Sequence, residues 1–344
     1  MGKTYRLATT QVAFKWEDRG GVVNPYSDDF DPEAVPKHIE GNTRRQLELF
    51  KEAGRKGADL VVGAEDMQRL GHYGMYLDDT SHFKKLVETI PGPTSKRIAA
   101  VARKYRMYIV ACYPEKSGRR YYNTGVLFDR NGRIRGKYRK VQLPANETWV
   151  YTPGTRFPVF KTEMGHIGIA ICYDIMFPEI VRCLALSGAD IIAHPTMGYG
   201  WTEDVGETTV KSRAIDNGVT VIVSHSKRSQ VVNCWGEILC DAGRSPNTVV
   251  FADLDPKAKM LQPSNCYATV QTGIADVRER WTRERLAECF KVLSAKNPPL
   301  MKRYAKGKKL PKTKKEIHAV YRKVREEHRR VAAGKPAKLT WTSR

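Results

Sequence analysis

Apolar residues come along this chain in two rhythms. The first is a set of short, nearly unbroken runs rich in Val and Ile: "ADLVVGAED" (58–66), "MYIVACY" (107–113), "NTGVLFD" (123–129), "HIGIAIC" (166–172), "ADIIAHPT" (189–196), "VTVIVSHS" (219–226) and "TVVFADLD" (248–255). Continuous rather than alternating runs predict strands buried on both faces. The second rhythm is helical and fills the gaps, in "NTRRQLELFKEAGRKG", "PTSKRIAAVARKYR", "PEIVRCLALSGA" and "TTVKSRAIDNG". Several of these end at or near Gly, a common helix stop. "NTGVLFDRNGRIRGKYRKV" and "SQVVNCWGEILCDAG" read as hairpins, the first around an Asn-Gly turn. Mixed sheets covered by helices predict a layered α/β sandwich. Residues 16–40, rich in Asp, Pro and Gly, form a long first connection that reads as a lid or interface arm.

Composition narrows the class. With 344 residues, 41% hydrophobic and 28% charged, the chain is expected to be a soluble globular protein with a sizeable core. No run approaches the length of a membrane span. The N-terminal "MGKTYRLATTQVAF" turns directly into strand-like alternation, so no secretory signal is expected. Seven cysteines without a CxxC pair fit free thiols in a reducing, cytoplasmic setting. The net charge of +22 is uneven: residues 293–344 carry +14, leaving +8 for the first 292. The chain therefore divides into a body, 1–292, and a basic, partly helical extension, 293–344. Ile317, Val320, Tyr321 and Val324 recur there at helical spacing and predict an amphipathic helix over 314–331. Such a helix either packs on a neighbouring subunit or meets an acidic or nucleic-acid partner.

Candidate chemistry gathers at the ends of the apolar runs. Cys172 closes one of them just before "YDIMFPEI". It is either a small core residue or a nucleophile presented where a strand meets a helix. A nucleophilic cysteine needs a base for its thiol, a donor or cation for the oxyanion, and a proton for the leaving amine. His194 and His225, both at strand ends, would serve a Cys–His arrangement. The G-x-C-x-G elbow pattern is absent, since Ala170 and Asp174 stand at the flanking positions. Glu65 ends "DLVVGAE", where a solvated carboxylate is the alternative to a functional one. Lys140 and Glu147 read locally as one basic residue among several and a loop acid.

Taken in order, "ADLVVGAED", "KYRKVQLP" and "GIAICYDIMFPEIVRCLALSGADIIAHPT" resemble the Glu, Lys and Cys segments of the nitrilase superfamily of carbon–nitrogen hydrolases. "YTPGTRFPVF", "KSRAIDNGVTVIVSHS" and "GEILCDAGRSPNTVVFADLD" fit as flanking matches, and the resemblance covers roughly residues 5–257. It implies a four-layer α-β-β-α sandwich of two mixed sheets, here with a C-terminal helical extension. It implies Glu65 as general base, Lys140 as oxyanion-stabilising cation, Cys172 as nucleophile, and Glu147 as a second glutamate holding the lysine and the substrate amide. Ala64 stands where the family often has Pro. Tyr173, Asp174, His194 and Thr196 are the candidate substrate-binding residues.

The implied reaction cleaves a non-peptide C–N bond of a linear amide or N-carbamoyl compound through a thioester, releasing ammonia or an amine. It requires no metal or organic cofactor, and the His/Cys/Asp spacing shows no zinc pattern. Tyr173-Asp174 stands where true nitrilases of the family place Trp-Glu, which favours an amide or carbamoyl substrate over a nitrile. "PANETWVY" is similar to a loop of β-ureidopropionases, whereas "DIMFPE" lacks the arginine with which carbamoyl-amino-acid hydrolases grip a carboxylate. The expected partners are the small-molecule substrate and a second copy of the chain, in a homodimer or larger even assembly. No membrane is expected, nor a nucleic acid. The alternatives are a nitrilase, or an inactive hydrolase fold whose basic tail binds nucleic acid.

Overall fold

The computed structural model describes residues 3–14, 30–76, 80–144, 147–198, 204–296 and 298–301, with Lys315, Glu316, Ala319, Lys323 and Glu326. The chain runs β1 (Tyr5–Gln11), α1 (Val35–Arg55), β2 (Leu60–Val62), α2 (Leu70–Tyr76), α3 (Ser81–Leu86), α4 (Pro93–Tyr105), then β3 (Tyr108–Ser117), β4 (Arg120–Phe128) and β5 (Ile134–Arg139). A second half follows with β6 (Val159–Thr162), β7 (Gly165–Ile169), α5 (Pro178–Leu186), β8 (Ile191–Pro195), α6 (Asp204–Asn217) and β9 (Thr220–Ser224). It closes with β10 (Gln230–Val232), β11 (Ile238–Asp241), β12 (Thr248–Leu254), α7 (Tyr267–Thr272) and α8 (Val277–Glu284).

Two six-stranded sheets result, ordered β12-β1-β2-β3-β4-β5 and β11-β10-β9-β8-β7-β6. In each, three central strands are parallel (β1-β2-β3 and β7-β8-β9), while the flanking pairs are antiparallel. The unbroken apolar runs are explained by the layering. On β2 and β3, Leu60, Val62 and Val110 pack against Ile167, Ile169, Ile191 and Ile222 of the other sheet. Their alternate neighbours, Val61, Ile109 and Ala111, pack outward on Leu47, Phe50, Ile98 and Val101 of α1 and α4. On the second sheet the outward residues are Ile192, Val221 and Val223, covered by Ile180, Val181 and Leu184 of α5 and Val210 and Ala214 of α6. A strand with apolar cover on both faces shows no period-two polarity. The molecule is a four-layer α-β-β-α sandwich, as the resemblance implies.

Three differences from the sequence reading bear on the site. The run 58–66 is a strand only over Leu60–Val62, so Glu65 has left the sheet. Helix α1 starts at Val35 instead of residue 42, shortening the long first connection. Its buried stripe includes Asn42, Thr43 and Gln46, polar residues that hide the helical period from a hydrophobicity reading. The remainder of the proposed arm, 15–29, and the stripe Ile317, Val320, Tyr321 and Val324 lie outside the described residues. By contact the chain divides into Met1–Arg283, which holds both sheets, and Glu284–Arg344. The second unit opens with a 3₁₀ helix, Ala287–Ser294, none of whose side chains is buried. Among the described residues no helix is long and apolar enough to cross a membrane.

Candidate active site

Parallel strands of an α/β sheet deliver their functional groups beyond their C-terminal ends. Both sheets do so here, on facing sides of one cavity. From the first sheet comes Glu65, just past β2, with its side chain 6% exposed. Lys140 follows β5 and is pinned through its backbone: its N–H donates to Asn123 O at 2.9 Å, and its carbonyl accepts from Gly154 N at 2.8 Å. Glu147 opens a 3₁₀ turn, Glu147–Trp149. The Lys140 ammonium, with no exposed side-chain surface, donates to Glu65 Oε1 at 2.8 Å and to Glu147 Oε1 at 2.7 Å. A lysine so buried is tolerable only when paired.

From the second sheet comes Cys172, the first residue of a 3₁₀ turn, Cys172–Met176, that follows β7. Its φ of 45° is left-handed, a conformation costing a non-glycine residue on the order of 1–3 kcal/mol, which the surroundings must impose. Asp174 imposes it. Its fully buried carboxylate accepts from Ile171 N at 2.9 Å, Gln142 N at 2.8 Å and the Tyr138 hydroxyl at 2.7 Å. The elbow is thus clamped from one side by an acid and needs no flanking glycines. Gly198 supplies close approach: a Cβ there would lie 3.1 Å from Cys172 Sγ.

Glu65, Glu147, Cys172 and Asn123 border a cavity of ≈ 160 Å³, roughly five water volumes at ~30 Å³ each. Asp66, Arg69, His72 and Tyr151 also line it. Neither His194 nor His225 is among the lining residues. His194 Nδ1 lies 2.8 Å from Ala170 O, and His225 Nδ1 accepts from Lys227 N at 3.0 Å. Burial pushes both imidazoles down to about 4, so both are neutral.

The proposed substrate-binding residues separate. Thr196 is buried near the thiol, with a side-chain hydrogen bond that favours the thiolate. Tyr173 is 39% exposed and stacks edge-on against Phe177 at 5.2 Å. His194 and Asp174 are buried, and the Asp174 carboxylate is engaged by the elbow and does not line the cavity. Sequence reasoning missed Asn123. Its Nδ2 donates to Glu65 Oε1 at 2.8 Å, and its Oδ1 accepts from the Cys112 thiol at 3.2 Å, which fixes the amide's orientation. Met197 N donates to Glu65 Oε2 at 3.0 Å. Inside the strand run "NTGVLFD", Asn123 gave no local sign of this role.

Electrostatics divides the groups. Burial works to raise Glu65, but Lys140, the Cys172 thiol and Asn123 outweigh it and hold the carboxyl below its usual range. Glu147 shifts the other way: burial and the nearby Glu65 charge overcome Lys140 and raise it. Lys140 resists its own burial through both carboxylates and stays charged. Burial, aided by Glu65, pushes the Cys172 thiol up to about 12 against the pull of Lys140, so it rests protonated. Glu147 Oε2 has no hydrogen-bond partner among the described residues. The arrangement thus presents an ionised base, a protonated thiol and an unpartnered acceptor around one small cavity, with a fixed cation behind the two carboxylates.

The chain is similar to known carbon–nitrogen hydrolases. Residues 31–259 match the family model described as Carbon-nitrogen hydrolase. The chain is 31% identical over 264 residues to the omega-amidase NIT2 of Bos taurus, covering 70% of this chain and 92% of that one. The omega-amidase NIT2 of Danio rerio is 32% identical over 244 residues, covering 64% and 85%. Among solved structures, Saccharomyces cerevisiae Nit3, of branch 10 of the nitrilase superfamily, has a TM-score of 0.59 at 25% identity, covering 75% of this chain and 92% of that one. An amidase from Nesterenkonia sp. has a TM-score of 0.58 at 23% identity, covering 74% and 91%.

Proposed function

The chain belongs to the carbon–nitrogen hydrolase family of the nitrilase superfamily, and on that premise we propose that it hydrolyses a small linear amide by cysteine nucleophilic catalysis. The observation that carries this reading is the buried Glu65–Lys140–Glu147 cluster, with 2.8 and 2.7 Å contacts, whose two carboxylates share one cavity with Cys172. A thiol at about 12 does not ionise alone, so proton transfer to Glu65 accompanies attack. Glu65 Oε1 accepts from both Lys140 and Asn123, whereas Oε2 accepts only from Met197 N and keeps a lone pair to take the proton. Sγ bonds to the amide carbon, and the carbonyl electron pair moves to oxygen, facing the Lys140 ammonium and the Tyr173 N–H. As the C–N bond breaks, Glu65 returns its proton to the nitrogen and ammonia leaves, giving a thioester. Water then adds, losing a proton to Glu65; the C–S bond breaks, the thiol is reprotonated and the acid departs.

Glu147 Oε2, unpartnered at the cavity wall, would accept from the substrate's amide nitrogen. The matched relatives are named omega-amidases, which supports an amide over an N-carbamoyl or nitrile substrate. The cavity's size favours a short acyl chain. Ammonia release from a panel of aliphatic amides, N-carbamoyl amines and nitriles tests the reading. Turnover of the amides is expected; turnover of nitriles alone would overturn it. A homodimer or larger even assembly belongs to the same proposal, supported by the exposed Met176 and Leu186 on the elbow turn and α5. Light scattering at micromolar concentration tests it, and a monomer would refute it.

A further inference from the structure

Asp66 is a second carboxylate in the cavity wall, beside Glu65 but with a different set of partners. The residue is only 7% exposed and sits at a left-handed φ of 45°. Its Oδ1 accepts from Gly71 N at 3.2 Å at the start of α2. Its Oδ2 has no hydrogen-bond partner among the described residues. A carboxylate oxygen buried without a donor is costly, on the order of 1–3 kcal/mol or more. A helix cap needs one oxygen, and it leaves the second unexplained.

The surroundings leave that second oxygen buried and without a donor. Gly71 has no side chain because the Tyr151 hydroxyl occupies the space: a Cβ there would lie 2.1 Å from Tyr151 Oη and 3.1 Å from Asp66 Oδ2. Both groups thus converge on the cavity that holds Cys172. Burial, opposed by Arg69, pushes the Asp66 carboxyl up to about 7, so a bound cation would restore its charge. Two acceptor oxygens in one cavity therefore lack donors, Glu147 Oε2 and Asp66 Oδ2. The amide nitrogen of a substrate supplies the first.

We propose that Asp66 is a specificity residue whose Oδ2 accepts from an N–H donor, an ammonium or amide nitrogen, on the acyl part of the substrate. The proposal rests on the amidase reading above and narrows its substrate class to amino-bearing short amides. A plain alkyl end would leave the oxygen bare.

The test compares isosteric pairs at pH 8, where Asp66 is ionised: β-alaninamide against butanamide, and 4-aminobutanamide against pentanamide. In the unmutated enzyme, kcat/KM for at least one amino amide should exceed its alkyl isostere by about 10-fold or more. Asp66→Asn keeps the cap acceptor but turns the second position into a donor, so that ratio should fall by about 10–100-fold, the worth of a charge-assisted hydrogen bond. A ratio is insensitive to general damage, and Asp66→Ser, which also retains a cap acceptor, should lower it too. If alkyl amides are cleaved and the unmutated ratio is one or less, or if it is unchanged in both variants, Asp66 is a cap only and the proposal falls alone. If no amide in the series releases ammonia, it falls together with the amidase reading.

Discussion

Two buried charge clusters flank strand β4, and they are built to opposite rules. In one, Glu115 on β3 is a lone carboxylate facing two cations. Its Oε1 accepts from Lys137 Nζ at 2.5 Å and Arg139 Nη2 at 3.0 Å; its Oε2 accepts from Arg139 Nε and Thr124 Oγ1, both at 2.9 Å. Every lone pair has a donor. In the other, Lys140 is a lone cation between two carboxylates, and Glu147 Oε2 is left open beside a protonated thiol. The neighbouring residues Arg139 and Lys140 thus serve different ends because alternate positions at the end of β5 face different sides. A saturated cluster locks the fold, whereas an unsaturated one retains the capacity to accept a proton or a substrate.

The largest test of this contrast removes the nucleophile. Cys172→Ala should abolish turnover while circular dichroism and the unfolding midpoint stay close to those of the unmutated protein. Intact mass spectrometry of the latter during turnover should trap an acyl adduct on Cys172. Retained hydrolysis would end the assignment.

Next in size are the partners. Glu65→Gln and Lys140→Ala should each lower kcat by about 10²–10⁴-fold, the usual worth of a base or an oxyanion stabiliser. His194→Ala and His225→Ala should cost far less. The reverse ranking would point to a histidine base and dissolve the distinction between the clusters.

Asn123 sharpens the comparison. Its Nδ2–H favours the ionised form of Glu65, so Asn123→Asp, which loses that donor and adds charge, should raise the Glu65 pKa. The acidic limb of the kcat/KM profile should then move to higher pH. The titratable groups that feel the Glu65 charge are Lys140, Glu147, Cys172, Asp66, Cys112, Tyr151, His194 and His225. An unmoved limb would show that Asn123 is architectural.

The smallest effect is expected at the saturated cluster. Burial raises Glu115, but Arg139 and Lys137 outweigh it, and its pKa is depressed. Its stabilisation is therefore present above the unfolded-state pKa and lost as pH falls through the folded one. Glu115→Gln should cost about 1–3 kcal/mol in urea unfolding at pH 7, less at acid pH, and leave the acidic limb of kcat/KM in place. A shifted limb would mean that the two clusters act as one.

Much of this protein is decided within short stretches of its sequence. Unbroken runs such as "DLVV" and "IVAC" admit one environment, apolar on both faces, and so required a sandwich with helices outside. The Asn-Gly turn joined β4 to β5, and the order of Glu65, Lys140 and Cys172 along the chain already carried the family resemblance. Other features were not local. Asn123 reads as a strand residue until β3 places the Cys112 thiol at its oxygen and β2 places Glu65 at its nitrogen. Asp174 reads as a group near the substrate until the left-handed turn at Cys172 directs it inward, onto Tyr138 and two backbone amides. Whether a carboxylate becomes a clamp, a base or an open acceptor depends on how many donors surround it. Those donors come from strands distant in sequence, brought together only when the two sheets pack.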